Sequence, residues 1–300
     1  MKNLTTKAAD IMKSHPIMSF FILTYVISWA IWIPLVAYYQ HNPIQTKPLP
    51  FSLLLPALIG GFGPTFAALI MAGIQDGVVG VRKLMSRWLV WRIGIGWYVA
   101  IPLLTIGIRL GAIALYVLFS GVKPETNLAL WYMFFLDFAT SIIGGPICEE
   151  TGWRGYALPM LQKKFGALTS GLIIGVFWTL WHVPGFFVPG MALPAIPLNW
   201  LLVLNFLLRV MSLSVLFTWL FNNTKGSLFI AFLLHAAVNS SATTLLKIFN
   251  FGEVADSMMG VLWFNVALQW LVVAIIVAIY GYSHLSHNKK FDEVGDGKVF

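Results

Sequence analysis

The sequence predicts an all-α membrane protein: a polytopic bundle of about eight transmembrane helices with both termini in the cytoplasm. Of the 300 residues, 59% are hydrophobic and only 10% are charged, which is not the composition of a water-soluble domain. Mainly apolar segments of about 20 residues, the length needed to cross a bilayer, recur along the chain. The basic residues gather in alternate connections between these segments, as in other membrane proteins.

The predicted elements follow one another with short connections. Residues 1 to 16 form a cytoplasmic lead-in, because the apolar stretch after them is long and has no clear signal-peptide cleavage site. Residues 17 to 281 are predicted to form a single transmembrane domain, and residues 282 to 300 a cytoplasmic tail. In the fifth span, Gly171 and Gly175 form a GxxxG pattern, which predicts close packing against another helix. The predicted spans are residues 17 to 39, 51 to 74, 93 to 119, 128 to 147, 167 to 187, 199 to 221, 227 to 246 and 258 to 281.

The positions of the basic residues orient this bundle. An even number of spans places both termini on one side of the membrane, and 14 of the 19 Lys and Arg residues then fall on that side. Only Lys47, Lys123 and Lys247 fall on the other side, whereas Arg109 and Arg209 lie within spans. This bias predicts that both termini are cytoplasmic.

The composition also excludes several classes of function. The single cysteine, Cys148, can form neither an intramolecular disulfide nor a cysteine-based metal site. The net charge of +8 is explained by the basic connections of a membrane protein. The lipid bilayer is therefore a predicted partner and nucleic acid is not, while no sequence feature predicts an oligomeric state.

Ionisable groups within a bilayer are functional candidates, because inserting each one costs about 2.5–3.5 kcal/mol. Two adjacent carboxylates, Glu149 and Glu150, lie at the end of the fourth span. In a helix, Glu150 and Arg154 share one face and can form an ion pair. Glu149 then points about 100° away and is free to take a proton from water. On composition alone, a solvated helix end explains the two glutamates equally well.

Two histidines and an amide lie in later spans. Trp178 precedes His182 by one helical turn and can pack against its imidazole, and His235 and Asn239 point into the same space. Taken separately, these side chains are more typical of hydrogen bonds between helices than of catalysis. Together with the glutamates of another span, they are the groups that water activation and oxyanion stabilisation require.

The paired glutamates match a motif of a known family. From Glu149 to Arg154 the sequence reads Glu-Glu-Thr-Gly-Trp-Arg, which fits the Glu-Glu-x-x-x-Arg motif of the CPBP intramembrane endopeptidases and resembles especially their prokaryotic members. This family includes the CAAX prenyl protease 2 enzymes and the bacterial Abi proteins linked to bacteriocin processing and self-immunity. The similarity runs from about residue 128 to residue 245, the predicted protease core.

Two further motifs support the resemblance. His235 and Asn239 match the family's His-x-x-x-Asn motif without departure. His182 matches the Phe-x-x-x-His motif, except that Trp178 stands where the family has phenylalanine. Each motif alone is weak, but the three occur in the family's order and at compatible separations.

The resemblance implies hydrolysis of a peptide bond in a membrane-associated peptide, either prenylated or of the bacteriocin type. Glu149 would activate water that His182 helps to orient, and His235 with its partner amide Asn239 would stabilise the oxyanion. Glu150 and Arg154 would hold the site together. The active site would be accessible from the cytoplasm. These roles come from the family, and the chemistry of the residues agrees with them.

A metal-dependent mechanism is the alternative. Glu149, His182 and His235 form a set of one carboxylate and two histidines, which is familiar from catalytic zinc sites. If the mechanism depends on a divalent metal such as zinc, these three residues are its expected ligands. We favour the metal-free glutamate mechanism, which requires no cofactor.

The proposed site imposes a condition on the fold. A straight fifth helix places His182 about 22 Å from the cytoplasmic surface, whereas Glu149 lies at the inner end of the fourth span. We therefore expect the fourth helix to break or tilt at Gly144, Gly145 and Pro146, or the glutamates to lie in a cavity open to the cytoplasm.

Two other functions are compatible with the sequence. One is a non-enzymatic immunity or binding protein built on the same scaffold. The other, less favoured, is an ion or solute transporter with a path through intramembrane charges. In that case Asp137 is available to pair with Arg109 or Arg209, and the two intramembrane histidines, His182 and His235, belong to the path.

Overall fold

The protein is a helical membrane bundle, as predicted. Within the described residues of the computed structural model, seven helices are long and apolar enough to cross a membrane. Lys47 and the predicted tail beyond residue 287 lie outside the described residues, so the expectations for them stay untested. The structure describes residues 2 to 42, 51 to 188, 190 to 194, 196 to 252 and 255 to 287.

Helices account for nearly all of the described chain, and two short strands form an antiparallel pair. The strands are β1 (Glu125–Thr126) and β2 (Phe249–Asn250). The α-helices are α1 (Lys2–Ser14), α2 (Pro16–His41), α3 (Phe51–Gly61), α4 (Gly63–Ser86), α5 (Ile95–Ser120), α6 (Met133–Gly144), α7 (Pro146–Glu150), α8 (Leu158–Gln162), α9 (Ala167–Trp181), α10 (Trp200–Asn223), α11 (Leu228–Ile248) and α12 (Ala255–Tyr280). The other helical segments that the structure describes are the 3-10 helices Arg87–Leu89, Leu128–Tyr132 and Val183–Phe187 and the π-helix Thr151–Ala157.

The fifth predicted span is shorter than expected. The α-helix α9 has 15 residues and ends at Trp181, and a 3-10 turn follows it. Pro184 explains this end, because proline lacks an N–H and disfavours helical geometry in the residue before it. At about 1.5 Å per residue, α9 is only about 22 Å long, less than the roughly 30 Å apolar thickness of a bilayer.

The glycines of α9 allow it to pack closely on α10, which confirms the predicted GxxxG contact. A Cβ atom on Gly175 would lie 2.6 Å from the Cα of Met211, and one on Gly171 would lie 2.9 Å from Thr218 Oγ1. Only glycine leaves room for such a close approach of two helices. This contact fixes the position of His182, which follows the last residue of α9.

The fourth predicted span breaks where expected. Helix α6 ends at Gly144 and α7 begins at Pro146, and Gly145 between them has non-helical dihedral angles, φ −153° and ψ −68°. Proline suits the first turn of a helix, where its missing N–H is not needed. The break confirms the predicted interruption and starts a new helix that carries both glutamates.

The segment after this break lies at the centre of the bundle. All seven residues of the π-helix are buried, and Phe20 of α2 packs edge-on against Trp153 with ring centroids 5.7 Å apart. A Cβ atom on Gly152 would lie 2.5 Å from the carbonyl oxygen of Pro64, at the start of α4. Neighbouring helices therefore enclose the paired glutamates.

Candidate active site

Glu149 is a buried carboxylate at the wall of a partly open cavity. Glu149 is 5% exposed and lines a cavity of about 860 Å³. The indole N–H of Trp178 donates a hydrogen bond to Glu149 Oε2 at 2.6 Å. This environment rules out a solvated helix end and leaves the second carboxylate oxygen, Oε1, for other contacts.

Glu150 forms the predicted ion pair with Arg154. Arg154 Nη1 lies 3.2 Å from Glu150 Oε1, and both side chains are fully buried. The guanidinium carbon of Arg154 also lies 4.4 Å from the ring centroid of Trp178 and 3.9 Å from that of Phe217. The two rings provide cation–π contacts that help to offset the desolvation of the arginine.

The same glutamate orients His235. The Nδ1 atom of His235 lies 2.6 Å from Glu150 Oε1, and because a carboxylate paired with Arg154 only accepts hydrogen bonds, we assign the Nδ1 proton to the histidine. The other ring nitrogen, Nε2, then points away from Glu150. The sequence placed the two residues in one site, but it did not predict this bond.

Three polar atoms converge beside Gly145. The position that a Cβ atom on Gly145 would take lies 3.2 Å from His235 Nε2, 3.3 Å from Asn239 Nδ2 and 3.5 Å from Glu149 Oε1. The three polar atoms thus surround the small space in front of the Gly145 Cα. Glu149 Oε1 and His235 Nε2 consequently lie within about 7 Å of each other, which meets the distance requirement for a shared water.

His182 lies on another wall of this cavity. Its Nδ1 is 2.8 Å from the carbonyl oxygen of Trp178, which leaves Nε2 for other partners. The rings of Trp181 and Phe206 meet the imidazole edge-on, with centroids 4.7 Å and 5.2 Å away. These contacts hold the imidazole in one orientation.

The six residues singled out in the sequence thus come together, but in two layers. Four of them line the cavity and two lie behind it, where they support the first group. The cavity residues are Glu149, His182, His235 and Asn239, and the supporting residues are Glu150 and Arg154.

A metal site requires several ligand side chains grouped around one point. Among the residues that the structure describes, no three His, Cys, Asp or Glu side chains are grouped so that they could hold a metal ion. His182 and His235 each use Nδ1 in a hydrogen bond to the protein, and Trp178 occupies one oxygen of Glu149. These hydrogen bonds leave Nε2 of both histidines free, as in metal-binding histidines, so the zinc ligand set stays a prediction, and the mechanism below contains no metal step.

Asp137 does not pair with an intramembrane arginine. Its carboxylate lies 2.9 Å from Lys247 Nζ and accepts a hydrogen bond from Thr244 Oγ1 at 2.6 Å. The expected transporter pair of Asp137 with Arg109 or Arg209 is therefore not formed, because a lysine on α11 is closer.

The roles of two residues in the site were not predicted from the sequence. Trp178 was expected only to pack against His182, yet its N–H also binds Glu149. Gly145 was singled out only as a helix break, yet its missing side chain leaves the space where three polar atoms meet. The hydrogen bond of Trp178 was predictable from the tryptophan itself, which stands where the family has phenylalanine, because indole has a donor that phenylalanine lacks.

A membrane bundle that buries a glutamate beside a histidine and an amide defines the class of the protein as a multi-pass membrane peptidase. Residues 130 to 241 match the family described as type II CAAX prenyl endopeptidase, Rce1-like, and this segment contains every predicted site residue. The chain is similar to this family over these residues, and the match supports an intramembrane endopeptidase, as the motifs implied.

A curated relative supports this assignment. The CAAX prenyl protease 2 of Methanococcus maripaludis is 23% identical to the chain over 224 residues. The matched region covers 73% of this chain and 81% of that protein. The similarity therefore extends well beyond the three motifs.

Proposed function

We propose that the protein hydrolyses a peptide bond of a membrane-anchored peptide by means of water that Glu149 activates, without a bound metal. The observation that carries this proposal is the convergence of Glu149 Oε1, His235 Nε2 and Asn239 Nδ2 on one point beside Gly145. A base and two groups capable of binding an oxygen atom around one small space are what peptide hydrolysis requires.

Glu149 acts as the general base. Its Oε1 takes a proton from the attacking water while the hydroxyl oxygen bonds to the carbonyl carbon of the substrate. The indole N–H of Trp178 fixes Oε2, so Oε1 stays directed at the water. The proton on Glu149 then passes to the leaving amine as the C–N bond breaks, which restores the carboxylate.

The remaining residues stabilise the charge that develops on the carbonyl oxygen. Asn239 Nδ2 donates to this oxygen, and His235 Nε2 does so when it carries a proton. Glu150 and Arg154 keep His235 in place through the bond to Nδ1. His182, which lines the same cavity, helps to orient the water.

The substrate that we propose is a peptide prenylated near its C-terminus. The Methanococcus maripaludis relative is named CAAX prenyl protease 2, and a CAAX sequence is a C-terminal prenylation signal. A bacteriocin-type peptide is the second candidate, because the sequence around Glu149 resembles prokaryotic members of the family. We place the enzyme in the cell membrane with both termini and the access to the site on the cytoplasmic side, following the basic residues.

The test is cleavage of a fluorescent, farnesylated CAAX peptide in lipid vesicles by the wild-type enzyme and by Glu149→Gln. We expect the variant to lose a factor of about 10²–10⁴ in kcat, the usual contribution of a general base, with unchanged thermal unfolding. Asp137→Asn is the matched control, since it removes a carboxylate from the same predicted span and should stay active.

Three results would argue against parts of the proposal. Equal cleavage by the wild-type enzyme and Glu149→Gln contradicts the role of this glutamate. Loss of wild-type activity with a chelator, and its recovery with zinc, contradicts a metal-free mechanism. If a bacteriocin-producing challenge shows that Glu149→Gln still protects cells while neither protein cleaves peptide, the chain is an immunity protein that acts by binding.

A further inference from the structure

Arg109 of α5 and Arg209 of α10 line the same cavity as Glu149. Neither arginine forms an ion pair with any residue that the structure describes. Arg109 is only 5% exposed, and its Nε and Nη1 atoms have no hydrogen-bond partner within the described ranges. A buried cation without a partner is costly inside a membrane protein and indicates a functional site.

The second arginine, Arg209, lies near the active site. The guanidinium carbon of Arg209 lies 4.9 Å from the ring centroid of Phe206, and that ring meets His182 with centroids 5.2 Å apart. Because both distances share the Phe206 ring, Arg209 lies within about 10 Å of the imidazole.

The acidic residues near the cavity do not neutralise these two charges. Asp137 is paired with Lys247, and Glu150 with Arg154. Glu149 is the one acidic residue in the described lining of the cavity, and Trp178 binds it. One wall of the cavity is therefore positively charged and lacks an anion from the protein.

We propose that Arg109 and Arg209 form a subsite that binds a carboxylate of the substrate, namely the C-terminal carboxylate of the peptide. A guanidinium group matches a carboxylate with two parallel hydrogen bonds. Asn205 lines the same cavity, is 2% exposed and has an Nδ2 without a partner among the described residues, so it offers a further donor.

The position of the subsite sets the distance between the carboxylate and the bond that is cleaved. An extended peptide covers about 3.3–3.6 Å per residue, and His182 and Arg209 are at most about 10 Å apart, so at most about three residues span the distance between them. This inference rests on the proposed function and specifies it, because it predicts that the scissile bond lies close to the C-terminus. A carboxylate of an acidic side chain offers the same chemistry, and the experiment separates the two sources.

The experiment measures binding to Glu149→Gln, so that it does not depend on turnover. The probes are three fluorescent, farnesylated peptides of one CAAX sequence: a free acid, its C-terminal amide, and an amide whose last residue is aspartate. We expect the free acid to bind about 10-fold more tightly than the plain amide, as charge-assisted hydrogen bonds predict. The aspartate peptide should bind like the plain amide.

Variants of the arginines test where this preference comes from. Arg209→Gln, combined with Glu149→Gln, should bind the free acid as weakly as the amide, and Arg209→Lys should recover part of the difference. Arg109→Gln should weaken the preference in the same way. The matched control is Arg92→Gln, because Arg92 is exposed, lies over Trp91 and is outside the cavity lining.

The outcomes separate this subsite from the proposed function. Equal binding of the acid and the amide overturns the subsite, even if the wild-type enzyme cleaves both. Tight binding of the aspartate peptide overturns the assignment to the C-terminus and leaves a site for acidic side chains. A 10-fold preference in binding without any cleavage by the wild-type enzyme supports the subsite and contradicts the proposed function alone.

Discussion

Two groups of charged residues share the interior of this bundle, and they are neutralised in different ways. Glu150 pairs with both Arg154 and His235, and the rings of Trp178 and Phe217 cover the arginine. By contrast, the two arginines of the proposed subsite, which line the cavity, have no ionic partner among the described residues. The charges of the first group are neutralised within the protein, whereas those of the second are neutralised only when an anion binds.

This difference indicates what each group does. Charges that pair within the protein hold catalytic side chains in place before the substrate arrives, so little reorganisation is needed during the reaction. Unpaired charges lower the stability of the empty enzyme but add affinity for a ligand of opposite charge. Protein stability and substrate binding should therefore respond in opposite ways to mutation in the two groups.

The largest expected effect is on the free energy of unfolding, and it distinguishes two buried arginines, Arg154 and Arg109, when each is replaced by methionine. Arg154→Met breaks the ion pair of Arg154 with Glu150 and leaves Glu150 with His235 alone, and breaking a buried pair costs about 3–5 kcal/mol. Arg109→Met removes a charge without a partner, so it should leave the free energy of unfolding unchanged or increased. Unfolding in mixed micelles measures both variants. Similar destabilisation by the two substitutions contradicts the distinction between the groups.

A smaller effect is expected from filling the space beside Gly145. The methyl group of Gly145→Ala would lie 3.2–3.5 Å from His235, Asn239 and Glu149, next to the space where we place the reacting oxygen atoms. We expect kcat to fall about 100-fold, because a misplaced reactive group costs about that much. The measurement is peptide cleavage together with thermal unfolding.

The neighbouring glycine provides the control for that variant. A Cβ atom on Gly144 would meet no atom within 4 Å, so Gly144→Ala should keep most of the activity. If the two alanine variants have equal activity, the space beside Gly145 is not where the reaction occurs.

The sequence predicted the elements of the site better than the contacts between them. The ion pair of Glu150 with Arg154 was predictable, because both residues lie on one helical segment, four positions apart. The bond of Glu150 to His235 was not, since it joins residues 85 positions apart and depends on how α7 and α11 pack. The helix break at Gly145 was predicted from the glycines and the proline, but the space it leaves depends on Glu149 and on residues of α11.

The bond from Trp178 to Glu149 requires the tryptophan that stands where the family motif has phenylalanine, and it yields the smallest predicted effect. Trp178→Phe restores the residue of the family motif and keeps an aromatic ring beside Arg154, but it removes the N–H that lies 2.6 Å from Glu149 Oε2. We expect kcat to fall about 10-fold with little change in KM, because a hydrogen bond to a charged group contributes about 1.5–3 kcal/mol and water replaces it in part.

The control for this variant is Trp219→Phe, because the Nε1 atom of Trp219 has no hydrogen-bond partner among the described residues. A purely structural role for the indole of Trp178 predicts a loss of stability with kcat unchanged. A positioning role predicts a lower kcat with unchanged stability. It also predicts an altered dependence of kcat on pH, because the hydrogen bond acts on the group that takes the proton. Unchanged kcat in Trp178→Phe would show that packing alone orients Glu149, and the tryptophan would then be only a larger substitute for the family's phenylalanine.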